Sequence, residues 1–173
     1  MNQKYQRNYQ ARSSLESGRN MEKLIEAACE KYKVTGKAHI VKIPEPFMVL
    51  RLDPNKKSFV GKFMSKAEPD FLGAIKGGQV LAFESKYTST DKLKKSVITK
   101  KQDESLELYY QVNALVGVCV GIKRTYAFIP WKVWRDMKNI YGRQYLTEED
   151  IKRYEVPTPG YIDFLKGVEN HVI

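Results

Sequence analysis

Glu84-Ser85-Lys86 closes an apolar run, Val80-Leu81-Ala82-Phe83, and Asp70 stands upstream of it behind Pro69. Side chains alternate along an extended strand, so Glu84 and Lys86 share one face and Ser85 points to the other. Asp70 opens a second short apolar run that ends at Ile75, and Lys76-Gly77-Gly78 between the two runs is a hairpin signal. A tight hairpin of this length brings Asp70 beside Glu84 and Lys86. Carboxylates gathered at the ends of apolar strands repel, and burying their charge is unfavourable, unless a cation lies between them. For phosphate chemistry that cation is hard and oxygen-seeking, with Mg²⁺ the natural choice. Such a site activates a water and offsets charge on a pentavalent phosphorus, while Lys86 orients the water or stabilises the phosphate.

Acid-x-Lys spacing alone is weak. Asp136-Met137-Lys138 and Asp150-Ile151-Lys152 repeat it inside segments that read as helical. Only Glu84-Ser85-Lys86 joins the spacing to an apolar strand, an upstream Pro-Asp and a Gly-Gly turn. The bland alternative is a surface hairpin whose Glu and Lys pair across one face, worth at most about 1 kcal/mol. Glu68 reads as a solvated turn residue.

The surrounding elements must hold that hairpin. Residues 1–17 are polar, basic and without hydrophobic period, which predicts a flexible arm before a single domain over 18–173. Met21, Leu24, Ile25, Ala28 and Cys29 then recur at helical spacing. Extended segments follow at Ala38-His39-Ile40-Val41-Lys42-Ile43 and from Phe47. With turn formers at Asp53-Pro54-Asn55, residues 47–64 read as a basic, partly apolar hairpin projecting ahead of Asp70. A Lys-rich connection, Asp91 to Lys101, leads to a helix over Glu104–Ala114. Leu115 to Ile122 is apolar throughout and fits a strand buried on both faces. A further strand over Arg124–Ile129 leads into a helix opened by Pro130. Thr147 and Asp150 resemble the capping pair of a short helix. The order predicts a mixed α/β fold.

A chain of 173 residues supports one core, and a net charge of +10 with a pI near 9.5 favours a polyanionic partner, nucleic acid before membrane. Cys29 and Cys119 read as small core side chains, and His39 and His171 lie too far from any cysteine for a zinc site. No apolar run reaches a membrane span and no signal peptide opens the chain, so the expectation is a cytoplasmic protein without a small-molecule cofactor.

Pro69-Asp70 followed by Glu84-Ser85-Lys86 resembles the PD-(D/E)xK nuclease signature. Gly18-Arg19-Asn20-Met21-Glu22 is similar to the Gly-x-x-x-Glu opening of the first helix in cellular Holliday-junction resolvases of that fold. The inserted hairpin is similar to the stalk of RecU-type resolvases. The order of helix, stalk, Pro-Asp-Phe-x-Gly, Phe-Glu-x-Lys, helix and Gly-Val-Cys-Val strand parallels RecU over residues 18–129. The pattern departs in having Pro69 where a threonine is common, and Asp103-Glu104-Ser105 near the place of a His-Gln pair.

The resemblance implies a restriction-endonuclease-like core, a mixed central sheet flanked by helices with a protruding β-hairpin stalk. It implies a phage-encoded, Mg²⁺-dependent endodeoxyribonuclease (Mn²⁺ substituting) that resolves four-way junctions as a homodimer in the host cytoplasm. Catalysis then falls to Glu22, Asp70, Glu84 and Lys86, with Asp70, Glu84 and Glu22 as metal ligands. The cations expected to contact DNA are Arg7, Arg12 and Arg19 in the arm, and Arg51, Lys56, Lys57, Lys62 and Lys66 in or beside the stalk. Lys92, Lys94 and Lys95 beyond the catalytic strand complete the set. Arg51 and Phe63 are candidates to contact unstacked bases. Trp131, Trp134, Tyr141 and Tyr145, interleaved with Lys132, Arg135 and Arg143, offer a stacking platform for single strands, but the i, i+3 spacing of Trp131 and Trp134 reads rather as core. Competing readings are a restriction- or repair-type duplex nuclease on the same core, or a non-catalytic junction-binding protein.

Overall fold

The computed structural model describes residues 3–53, 58–64 and 68–171, with side chains described over 16–170 of that range. Helix α1 spans Gln3–Val34 and leads into β1, Ala38–Lys42. The inserted hairpin is β2, Phe47–Asp53, and β3, Ser58–Phe63. Strands β4, Phe71–Ile75, and β5, Val80–Thr88, form the second hairpin. Gly77 and Gly78 turn it, both at positive φ (100° and 87°), where a side chain would be strained. Then come β6, Lys92–Lys94, helix α2, Lys100–Gln111, and strands β7, Leu115–Ile122, and β8, Thr125–Pro130. Helices α3, Trp131–Arg135, and α4, Met137–Tyr141, precede β9, Tyr145–Thr147, α5, Glu148–Lys152, and α6, Phe164–His171.

The main sheet has the order β1-β4-β5-β7-β8. Strands β5 and β7 are parallel, joined through α2 as a parallel pair requires, and the other neighbours are antiparallel. This is the mixed α/β sheet that the residue pattern predicts. Every residue of β7 is buried, as its unbroken apolar run demands. On one face α1 and α6 pack Met21, Ile25, Tyr32 and Phe164 against Phe71, Phe83 and Phe128. On the other, α2, α3 and the β6–β9 ribbon pack Leu106, Trp131, Trp134, Leu93 and Leu146 against Val116, Val118 and Val120. No helix among the described residues is long and apolar enough to cross a membrane.

Three expectations change. The segment predicted as an arm continues α1, which begins at Gln3. No proline or glycine interrupts residues 3–17, and Gln, Arg, Ala and Leu carry helix propensity there. The helix placed over Glu104–Ala114 starts instead at Lys100, where the Thr99 hydroxyl accepts the Gln102 N–H and the Gln102 side chain accepts the Thr99 N–H. The helix after Pro130 breaks at Asp136, whose backbone (φ −92°, ψ 17°) leaves helical geometry. By contrast, Thr147 and Asp150 do form the capping pair of α5.

Gly73 shows how closely β1 and β4 approach. A Cβ there would fall against the carbonyl oxygen of His39 and 2.5 Å from Cα of Ile40, both backbone atoms. Gly73→Ala is expected to destabilise the fold by about 3 kcal/mol. Thermal unfolding should register this as a fall in Tm of roughly 6–12 °C.

Candidate active site

Phe71 pairs with Phe83 across the β4–β5 hairpin, so Asp70, one step earlier, lies opposite Glu84. The side chains confirm the meeting. Lys86 Nζ lies 2.7 Å from Glu84 Oε2 and 3.6 Å from Asp70 Oδ2, and the Ser85 N–H donates to Asp70 Oδ2 at 3.0 Å. Glu84 pairs with Val118 and Lys86 with Val120 on β7, which puts both on the face covered by α2. Glu84 is fully buried, the one buried charged side chain among the described residues.

Burial is the main force pushing the Glu84 carboxyl up, to about 7, and the neighbouring Asp70 charge adds to it. The Lys86 ammonium pulls the other way. Glu84 Oε2 accepts from both Lys86 and Gln102 Nε2, the latter at 2.6 Å, whereas buried Oε1 has no hydrogen-bond partner. A buried carboxylate oxygen without a partner is costly. A cation bound there removes that cost, so the donor set fits a divalent metal. Mg²⁺ takes one or two carboxylates and completes its shell with waters and substrate phosphate, so a pair of acids suffices.

Gln102 was not among the residues read as functional. Its signal is present, because Thr99-x-x-Gln102 is a capping pattern ahead of an apolar-periodic segment. Its carbonyl oxygen serves the cap while its amide nitrogen reaches Glu84, so the start of α2 fixes the acid's orientation. Glu68 is exposed, as expected, and accepts from the Tyr109 hydroxyl at 3.1 Å, which ties the approach to Asp70 onto α2.

Glu22 does not join this cluster. Lys42 lies opposite Phe71 and so on the α1 face of the sheet, and its ammonium holds Glu22 at 2.7 Å and Glu26 at 3.1 Å. No group of three His, Cys, Asp or Glu side chains converges among the described residues. The Glu22 carboxylate, expected as a third ligand, is engaged instead in an ion pair with Lys42, which projects from the face of the sheet opposite Glu84.

The DNA-contact candidates disperse. Arg7 and Arg12 lie on α1 with side chains outside the described set, and Arg19 is exposed on the same helix. Arg51 and Lys62 are exposed on the hairpin, while Lys56, Lys57 and Lys66 lie outside the described residues. Lys92 and Lys94 are exposed on β6, but Lys95 turns away and donates to the Arg135 carbonyl at 2.7 Å, at the end of α3. That bond satisfies a carbonyl at the end of α3. Trp131 and Trp134 are fully buried, so no stacking platform includes them. Tyr145 carries Lys92 Nζ at 4.7 Å and the Arg143 guanidinium at 5.0 Å from its ring centroid, and Arg143 also lies 5.7 Å from that of Tyr141.

Among known proteins, the family model described as "Recombination protein U" matches residues 16–170, well beyond the span over which motifs alone are legible. The structure of Hjc, a Holliday junction resolvase from the archaeal hyperthermophile Archaeoglobus fulgidus, is similar at 14% identity and a TM-score of 0.46. The match covers 75% of this chain and 89% of that one. No curated protein sequence matches the chain.

Proposed function

The chain belongs to the Recombination protein U (RecU) family, and on that premise we infer that it is a structure-selective endodeoxyribonuclease that resolves four-way DNA junctions. One observation carries the chemistry: Asp70, Glu84 and Lys86 meet at the sheet, and a buried Glu84 oxygen has no partner. Asp70 and Glu84 would hold a divalent cation, Mg²⁺ with Mn²⁺ able to substitute. A cation held by these two carboxylates would supply a water of lowered pKa and a charge to offset that developing on the phosphate. Gln102 fixes Glu84 through Oε2 and leaves Oε1 for the metal. The Ser85 N–H likewise fixes Asp70. Lys86, on the same face, orients the attacking water and stabilises the phosphate oxygens.

The test is cleavage of an immobile four-way junction beside a linear duplex of matched sequence, with Mg²⁺ or EDTA. Paired nicks in the junction alone, lost in EDTA, support the assignment. Equal cutting of the duplex replaces it with a duplex nuclease, and binding without cutting under Mg²⁺ or Mn²⁺ replaces it with a junction-binding protein.

Gln102→Ala should raise the Mg²⁺ concentration needed for half-maximal cleavage by about 10–100-fold, the usual penalty for losing a group that orients a metal ligand. An unchanged Mg²⁺ titration would confine Gln102 to helix capping.

Symmetric resolution needs two active sites related by a twofold axis, hence a homodimer. The β2–β3 hairpin supports one. Leu50, Leu52, Phe59, Val60 and Phe63 are each more than half exposed there, at 60%, 69%, 56%, 58% and 66%. Exposed apolar surface of this kind marks an interaction site. Arg51 and Lys62 stand among these side chains and would meet the junction. Replacing residues 47–64 with a short Gly-Ser link should leave the core folded, convert the dimer to a monomer in light scattering, and abolish preference for the junction over duplex. A dimer that survives the replacement would place the interface elsewhere.

A further inference from the structure

We propose that the β6–β9 ribbon is a second DNA-contact surface, which grips the backbone of the duplex arm beside the scissile phosphate through Lys92 and Lys94. The assignment rests on the junction-cutting reading and adds to it a contact separate from the hairpin.

Sequence and register build the surface. Lys92-Leu93-Lys94 alternates, and Leu93 pairs with Leu146 of β9. Both leucines are buried, at 2% and 1% exposure, in the core that covers Val118 and Val120. Those two valines pair with Glu84 and Lys86, so the ribbon sits on the face of the sheet from which the catalytic side chains project. With the leucines anchored inward, Lys92 and Lys94 point outward by strand alternation, beside Thr147 and Tyr145.

The connection to the active strand is short and tied down. From Thr88 at the end of β5 to Lys92, the Thr88 and Thr90 hydroxyls lie 2.8 Å apart, the Thr90 N–H donates to the Thr88 hydroxyl, and the Thr90 hydroxyl donates to the Lys92 carbonyl. The lysines are thereby held at a set distance from Lys86. The six residues from Lys86 to Lys92 span at most about 20 Å, within the reach of neighbouring phosphates on one duplex.

The lysines are also available. Asp91, the adjacent acid, is taken by Lys123 at 2.5 Å, and neither Lys92 nor Lys94 forms a salt bridge among the described residues. The Lys92 ammonium rests on the Tyr145 ring, which the Arg143 guanidinium also contacts, and Arg143 is in turn held by Asp150 at 2.5 Å. A cation already ordered on an aromatic ring has less freedom to lose on meeting a phosphate. Since the ring carries cations, Tyr145 supports backbone contact rather than base stacking.

The test uses full-length protein carrying Asp70→Asn to block cutting, and a four-way junction as probe. Binding is measured between 50 and 200 mM salt, on the order of the range in which counterion release dominates. Lys92→Ala/Lys94→Ala should flatten the slope of log affinity against log salt by about two, one for each lost phosphate contact. The control is Lys37→Ala/Lys76→Ala, at the far end of β4 where the Lys76 N–H donates to the Lys37 carbonyl, and it should leave the slope unchanged. A slope unchanged in the ribbon variant, or flattened equally in the control, overturns the proposal. Failure of the parent enzyme to cut the junction counts against the junction-cutting reading, whereas the slopes decide the ribbon either way.

Discussion

Asp70→Asn should abolish junction cleavage, with a fall of about 10³-fold or more in single-turnover rate, or about 4 kcal/mol of transition-state stabilisation. Junction affinity should stay within about threefold of wild type, because electrostatic contacts to the backbone lie outside this carboxylate. The substitution conserves shape, and its amide oxygen can still accept the Ser85 N–H that Asp70 Oδ2 accepts at 3.0 Å. What it removes is one negative charge next to Glu84, and with it the pair that makes the position attractive to a cation. Single-turnover cleavage and a filter-binding isotherm separate the outcomes. Retained cleavage would remove Asp70 from the metal site, and lost binding would point to a structural role.

Glu84→Gln should have a double effect: cleavage lost as completely as with Asp70→Asn, and the metal-free protein made more stable. In wild type the carboxyl is buried and its pKa is raised from 4.5 to about 7 in the folded state. A raised folded value favours the protonated acid in the fold. Its stabilising contribution is therefore present below pH 4.5 and is lost as pH rises through about 7. Glutamine keeps the acceptor for Gln102 and never ionises. In EDTA the Tm advantage of the variant should be small near pH 4.5, grow as pH rises, and level off above about 7. At the plateau a gain of roughly 5 °C is expected. A difference that ignores pH, or a variant less stable than wild type at pH 8, would show that Lys86 pairing outweighs burial.

Much of the site is legible in the residues themselves. Strand alternation and the Gly77-Gly78 turn suffice to bring Asp70, Glu84 and Lys86 together, because hairpin geometry is local. The apolar run of β7 and the inserted hairpin at 47–64 are equally plain, since each is a continuous pattern. Gln102 was hidden by the polar run Lys100-Lys101-Gln102-Asp103, which masks the start of α2 until Thr99 is recognised as its cap. The β6–β9 ribbon depends on a pairing across some fifty residues, Lys92 with Thr147, and three-residue strands carry too little periodicity to announce it. Glu22 illustrates the converse failure. Its helix position is read correctly, but the face of the sheet it occupies is set by the register of Lys42 against Phe71, which no local pattern encodes.

That same register bears on how this architecture can change over generations. Strands β1 and β4 are sheet neighbours joined through the 47–64 hairpin, with Lys42 against Phe71 and the Ile43 N–H donating to the Asp70 carbonyl at 2.8 Å. The chain leaves the core and re-enters it at one spot, so loop closure is already achieved without the excursion. Doubling the length of such an insert adds only about 0.6 kcal/mol of closure entropy. Its sequence and length can drift between lineages while β4 and β5 keep their register. Changes in what the hairpin contacts are thereby decoupled from the strand pairing that brings Asp70 to Glu84.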